Sequence, residues 1–305
     1  VLHEVASRLF SGASGGQPSR LHLGFHYPRS KLTRNACQDH YSRFMLAYGH
    51  LTRGIPINVY AVAKDRSWVD FENYCQSLRN EVEFVRIYDP AEYGLRDVEG
   101  AVLTGERHVV VREAREWFTE QLAGSVEFTS DADRYQDKCA DLTVDCTFCA
   151  RDAERVDRYE PCVTYLLRGP TDSAVTVMDG PFPSLYPWDE DEGLCSLTSA
   201  SLTPLSKAIR SYGEAKALLE ETGATELEER SRAMLAQMEQ YYPAVKQYYK
   251  PAGWKLAVRA MPLSGADARL VDVLKVDART LRIRASKLDA IFYAEDVVKE
   301  YIRCL

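Results

Sequence analysis

The first 29 residues constrain the fold more than any other stretch. Val1–Glu4 (V-L-H-E) reads as the tail of a buried strand that ends in an acid. Six residues later comes a loop of small residues: Ser11, Gly12, Ala13, Ser14, Gly15 and Gly16. Glycine and serine there favour tight turns and let backbone approach a ligand closely. In a dinucleotide-binding fold, an acid at the end of the second strand accepts hydrogen bonds from the adenosine ribose. Glu4 stands where that acid would be. The loop after it can aim backbone N–H groups at a pyrophosphate. On spacing alone, an ordinary strand and a flexible turn explain the segment at least as well.

Strand and helix signals interleave along the rest of the chain. Ser30–Leu51 has helical character, with Leu32, Ala36, Tyr41, Phe44 and Leu51 among its apolar positions. Ile57–Ala63 reads as a strand and Trp68–Leu78 as a helix. Val109–Leu122 begins as strand and turns helical, and Asp141–Phe148 reads as a short strand ending in a turn. Pro161–Leu167 and Ala174–Met178 are strands, and Asp179–Thr203 alternates turn residues with short apolar runs, as an antiparallel sheet does. Helices follow at Lys207–Thr222 and Thr225–Tyr242, broken by Pro243 and by Pro251-Ala-Gly253. Strands at Lys255–Met261, Leu270–Val276 and Leu281–Arg284 precede a last helix over Lys287–Ile302. Interleaved elements with one strand-rich region predict an α/β nucleotide-type domain carrying an inserted sheet domain, both discontinuous in sequence.

Composition excludes several classes. The 305 residues are 46% hydrophobic, ample for a large core. A net charge of −7 argues against a general role on nucleic acid or an anionic membrane surface. No run of about 20 apolar residues offers a membrane-spanning helix, and no signal peptide opens the chain. Eight irregularly spaced cysteines suit reduced thiols in a cytoplasmic protein.

Five of the six histidines lie in the first 50 residues. His22 and His26 flank Gly24, and Gly24 with Pro28 argues against the helix that would turn this spacing into a metal site. No metal is expected. Proton transfer is open to both, as is a structural histidine bonded to backbone. Cys146-Thr-Phe-Cys149 lacks the second pair a zinc site needs and reads as structural. The tyrosines at 241, 242, 248 and 249 read as helix-to-sheet packing, and the acidic run Asp189–Glu192 as a solvated hairpin tip.

The run S-R-L-H-L-G-F-H-Y-P-R-S over 19–30 resembles the segment that follows the ribose-binding acid in FAD oxidoreductases of the D-amino-acid-oxidase-like superfamily. It is most similar to the branch of L-2-hydroxyglutarate dehydrogenases. Ala140–Thr147 resembles that superfamily's strand beside adenine and pyrophosphate, with Cys146-Thr147-Phe148 departing from its Ala-Thr-Gly. Ala257–Pro262 resembles a strand whose arginine, here Arg259, often meets a substrate carboxylate. Arg282–Asp289 resembles the loop and helix start that cap the flavin, although Ser286 stands near a place where the superfamily prefers glycine.

The resemblance implies FAD as cofactor. It implies contacts from Glu4, the loop 11–16, Arg20, Leu21, His22, Thr147, Ser286, Lys287 and Leu288. His26, Tyr27, Tyr186 and Arg259 would line the substrate side, with a core role for Tyr186 equally admissible. The cofactor domain would comprise 1–55, 107–155 and 258–305, a Rossmann-like α/β unit. The substrate domain would be an antiparallel sheet with helices over 56–106 and 156–257. The implied activity is oxidation of a C–H bearing an amine or hydroxyl, on a small and anionic substrate. Sugar oxidation and a catalytically silent flavin-fold assembly protein are the rivals. A homo-oligomer is left open. The G-x-G-x-x-G strand, turn and helix that should precede Glu4 are not in the sequence, and the natural protein is expected to carry them before Val1.

Overall fold

The computed structural model describes residues 1–129, 140–147, 156–262, 271–284 and 287–304. The chain opens with β1 (Leu2–Glu4), a single turn α1 (Ala13–Gly16), β2 (Arg20–Leu21) and the long α2 (Lys31–Tyr48). It continues through β3 (Thr52–Gly54), β4 (Ile57–Ala63), α3 (Phe71–Leu78), β5 (Phe84–Ile87) and β6 (Val98–Thr104). Next come β7 (Arg107–Val109), α4 (Val111–Gln121), β8 (Val126–Phe128), β9 (Thr143–Asp145), β10 (Val156–Arg168) and β11 (Ser173–Met178). A hairpin of β12 (Pro183–Asp189) and β13 (Leu194–Ser199) precedes α5 (Tyr212–Glu221), α6 (Ala224–Tyr241) and α7 (Val245–Tyr248). The chain then runs through β14 (Lys250–Pro262), β15 (Asp272–Asp277), β16 (Thr280–Arg284) and α8 (Ile291–Arg303).

Eight strands form one sheet in the order β14-β10-β13-β12-β11-β4-β6-β5. Neighbours are antiparallel except β4 and β11, so the sheet is mixed. β4 shows why it sits inside. Its Val59, Ala61 and Ala63 face one cluster and its Tyr60 and Val62 the other. Alternate residues of a strand point to opposite faces, so this apolar run needs cover on both sides. α6 covers the first face with Leu227, Met234, Met238 and Tyr241, joined by Tyr249. The tyrosine pattern at 241, 242 and 249 is that packing, while Tyr248 is exposed. α3 covers the second face with Phe71, Tyr74, Cys75 and Leu78, a helical 3–4 spacing. Asp70 caps α3 by accepting from Asn73 N at 2.8 Å.

Three smaller sheets flank this one: parallel β1-β8, β15-β16-β9, and antiparallel β2-β7-β3. β9 runs parallel to β16, and Arg282 of β16 donates to Asp145 of β9 at 2.7 Å. Mixed α/β architecture was expected, and it is observed.

Several sequence expectations need correction. β1 is not buried: Leu2 is 42% exposed, and the strand pairs with β8 in a sheet of two short strands. The expected break near 257 falls inside β14, which pairs with β10 from Lys250 to Pro262 and so carries Arg259 in the large sheet. The helix expected from Lys207 starts at Tyr212, because Ile209 bridges to Tyr159 beside β10. The hairpin tip at 189–192 is not merely solvated. Glu190 pairs with buried His108, and Asp189 and Asp191 pair with Arg112, clamping the hairpin to β7 and α4. Phe148, Cys149 and Ser286 lie outside the described residues.

Candidate active site

The segment after β2 turns sharply at Gly24, which has φ +107. A Cβ there would sit 3.2 Å from the Arg34 backbone of α2, so both conformation and space require glycine. Arg34 then fastens the segment, donating to the Tyr27 and Pro28 carbonyls and pairing with Glu81 at 2.6 Å. Phe25 is driven into the core under Tyr60 and Phe84. That leaves His22, His26 and Tyr27 as a group of rings, with centroids 5.4–5.7 Å apart.

α2 faces this group with a polar stripe. Its buried residues are Thr33, Arg34, Cys37, His40 and Phe44, whereas Leu32 is 71% exposed. The helix buries chemistry rather than the apolar set its sequence suggested. Lys287 reaches Cys37 Sγ at 2.7 Å, and its ammonium lies 4.0 Å from the centroid of the Tyr27 ring. Burial disfavours the Lys287 charge, but Tyr27, Cys37 and Asp289 outweigh it and raise the pKa. Burial pushes the Cys37 thiol up to about 11, so it stays neutral. Burial lowers the His40 pKa against the pull of Asp289.

Arg259 also lies within electrostatic range of Tyr27. Its Nη2 and Nε donate to Glu160 Oε2 at 2.5 and 3.2 Å, and Arg158 donates to Glu160 Oε1 at 2.8 Å. Glu160 is fully buried, and it faces Arg259 directly across the β10–β14 ladder. The guanidinium therefore has a protein carboxylate in its fork.

Other expected residues are placed as follows. Glu4 accepts from Ala6 N at 2.8 Å through one oxygen. Ser11, Gly12 and Ser14 are exposed, and a Cβ on Gly12 would meet nothing within 4 Å. Gly15 and Gly16 are tight for a protein reason: a Cβ would lie 1.9 Å from the Phe10 carbonyl oxygen or 2.7 Å from Ala257 Cβ. Ala13 sits between these in α1, Leu21 is buried in the aromatic cluster with Phe44, and Leu288 borders the same cluster. Thr147 is turned toward Asp145, bonding it through N and Oγ1.

Arg20 points into the large sheet. It donates to Thr176 at 2.9 Å and to Ser184, and stacks 4.0 Å over the Tyr186 ring. Tyr186 is fully buried, donates to the Arg107 carbonyl and is a core residue. Sequence reasoning missed Glu106, Tyr60, Cys37, His40 and Asp289. An acid two residues after the apolar strand β6 was the available signal for Glu106.

FAD fits the residues present. Both Asp289 carboxylate oxygens, Gln17 Nε2 and Gln38 Nε2 are buried without a hydrogen-bond partner among the described residues. Buried polar atoms normally have partners. These occupy the turn 288–290, the approach to β2 and α2, and the turn packs against both α2 and β2. Such unpartnered donors and acceptors are the kind of groups that the polar edge of a flavin and its ribityl chain would satisfy.

Among solved structures, the chain superposes on glycine oxidase from Bacillus cereus ATCC 14579 with a TM-score of 0.64, covering 98% of this chain and 88% of that one at 11% identity. The fold is that of the FAD-dependent oxidases. The fructosamine oxidase from Aspergillus fumigatus gives 0.60, covering 99% and 79% at 11% identity. In sequence, the chain is 29% identical over 312 residues to "FAD-dependent monooxygenase FPY4" of Fusarium mangiferae, spanning 99% of this chain and 84% of that protein. No family model matches. Within this oxidase fold, no described helix is long and apolar enough to cross a membrane.

Proposed function

We infer that this protein is an FAD-dependent oxidoreductase that oxidises a C–H bond bearing a hydroxyl or amine on a small molecule. One observation carries the reading: residues far apart in sequence, His22, His26 and Tyr27 near one end and Lys287 near the other, converge on one ring cluster. The oxidase fold and the FAD-dependent relative support it. FAD, when bound, supplies the two-electron acceptor. Asp289, Gln17 and Gln38, whose buried polar atoms lack partners among the described residues, would hold it, and Glu4 would accept from its ribose. Lys287 keeps a fixed positive charge beside the ring cluster, where it stabilises negative charge that develops during reduction.

The anionic substrate implied by Arg259 meets an observation against it. Glu160 already fills the fork that a substrate carboxylate would take. That favours the second reading, a sugar or other hydroxyl compound without a carboxylate at this position. Anaerobic mixing with neutral sugars and polyols, 2-hydroxy acids and amino acids tests it. Bleaching of the flavin by members of the first group is expected. Bleaching by carboxylate substrates alone would return the anion-binding role to Arg259.

A further inference from the structure

Glu106 is the most deeply committed acid outside the residues assigned above. It lies between β6 and β7 and is 1% exposed. Its Oε1 accepts from Leu23 N at 2.8 Å and its Oε2 from the Tyr60 hydroxyl at 2.5 Å. Its own carbonyl accepts from Asn58. Arg20 reaches the carboxylate only through Tyr60, whose hydroxyl it meets at 3.5 Å. The titratable group facing it at ion-pair distance is His22, with Nδ1 3.6 Å from Oε1. A buried carboxylate is costly unless paired. Burial raises the Glu106 pKa, but His22, Tyr60 and the Leu23 N–H more than offset this and hold it below the ordinary range.

His22 Nδ1 is buried facing Glu106 at 3.6 Å, with no hydrogen-bond partner among the described residues, so the carboxylate acts on it as the facing charge; the side chain is 13% exposed. The residual exposure therefore belongs to the rest of the ring, which sits edge-on to Tyr27 at 5.5 Å. A carboxylate facing one imidazole nitrogen fixes the tautomer and leaves the other nitrogen as the base. Leu23 N, the neighbouring backbone donor, is held by the same carboxylate, so ring and main chain are located together.

We propose that Glu106 is a positioning residue, which orients His22 through Nδ1 so that Nε2 accepts the proton of the substrate hydroxyl or amine. This rests on the function proposed above. In the step, the substrate O–H or N–H bond breaks and its proton joins the Nε2 lone pair. The bond's electrons stay on the heteroatom and form C=O or C=N, while the C–H electron pair and its hydrogen leave to the FAD acceptor. Glu106 keeps its charge and balances the imidazolium. Other groups near the pair are His26 and Tyr27 on its own segment, Tyr60 of β4, Tyr74 of α3, and Tyr41 and Cys37 of α2. Burial raises Tyr41, Tyr60, Tyr74 and Cys37, so these stay neutral near neutral pH; the charges beside the ring cluster are the Glu106 carboxylate facing His22 and the Lys287 ammonium over Tyr27.

The test is Glu106→Gln in the FAD-loaded protein, read by NMR titration of His22 and by the pH profile of flavin reduction. Loss of the carboxylate should free the His22 ring from a single tautomer, read from its ring 15N shifts, and should move the acidic limb of the profile. The plateau rate should fall on the order of 100-fold, with KM little changed and FAD content intact. An unchanged His22 tautomer and an unmoved limb would overturn the proposal. If Glu106→Gln does not fold, Glu106→Asp withdraws the carboxylate by one methylene, and the limb should move the same way by less. An unmoved limb there overturns it equally. If no substrate reduces the wild-type flavin, the proposed function fails by itself, while the His22 ring 15N shifts still decide whether Glu106 controls that ring.

Discussion

At Glu160 two guanidinium groups converge on one buried carboxylate, and this pairing sets a pH dependence. Burial raises the Glu160 pKa, but Arg259 and Arg158 outweigh it and the net shift is downward. A carboxyl depressed in the folded state contributes stability above its unfolded pKa of about 4.3 and loses it as pH falls through the folded value. Removing one partner of a buried pair costs about 3–5 kcal/mol. Both arginines are about a third exposed, so solvent screening places the loss below that range. Glu160→Gln should therefore lower the unfolding midpoint near neutral pH, with the gap to wild type closing as pH drops below about 4. A gap independent of pH would show that Glu160 is not ionised in the fold. Arg259→Lys should weaken the same pair, since lysine lacks the planar fork. Thermal stability should fall while substrate affinity holds; a large rise in substrate Kd at unchanged stability would contradict this account. The sequence placed Arg259 on a strand and, by resemblance, against a substrate carboxylate. It could not show Glu160, which lies 99 residues away and is brought opposite only by ladder register.

The glycines of the 11–16 loop divide by what surrounds them. Gly16 is pressed against β14, so Gly16→Ala forces a shift and should cost about 1–3 kcal/mol of stability. Gly12 faces open space, so Gly12→Ala should leave thermal unfolding of the FAD-free protein unchanged. If the loop approaches the cofactor, Gly12→Ala weakens FAD binding instead, which flavin fluorescence titration would read. Equal effects of both substitutions on unfolding would remove the distinction. Element types were legible wherever period and length agreed: Ile57–Ala63 as strand, and α2 with its Ser30 cap, whose Oγ accepts from Thr33 N. Strands β5 and β6 went unread, although β6 lies between β4 and β5 in the large sheet. The buried stripe of α2 was misjudged because Thr33, Arg34, Cys37 and His40 are buried through polar partners, which periodicity of apolar residues does not reveal.

For the whole molecule, the large sheet is assembled from two separated stretches, 57–104 and 156–262. The remaining described segments surround it and supply His22, His26, Tyr27, Lys287 and Asp289. The site therefore forms where chain stretches from both ends of the sequence meet the sheet, and the charged network Arg20–Tyr60–Glu106 ties them to β4. Motif resemblance was enough to expect the fold and FAD. It was not enough to find Glu106 or Asp289, whose importance is a matter of burial and missing or unusual partners. The central claim is that this architecture is a working FAD site. Purifying the full-length protein, denaturing it and quantifying released flavin tests that claim most directly. The account predicts about one FAD per chain, present on isolation or regained on incubation with FAD. A folded full-length protein that releases no flavin, and binds none after reconstitution, would contradict it.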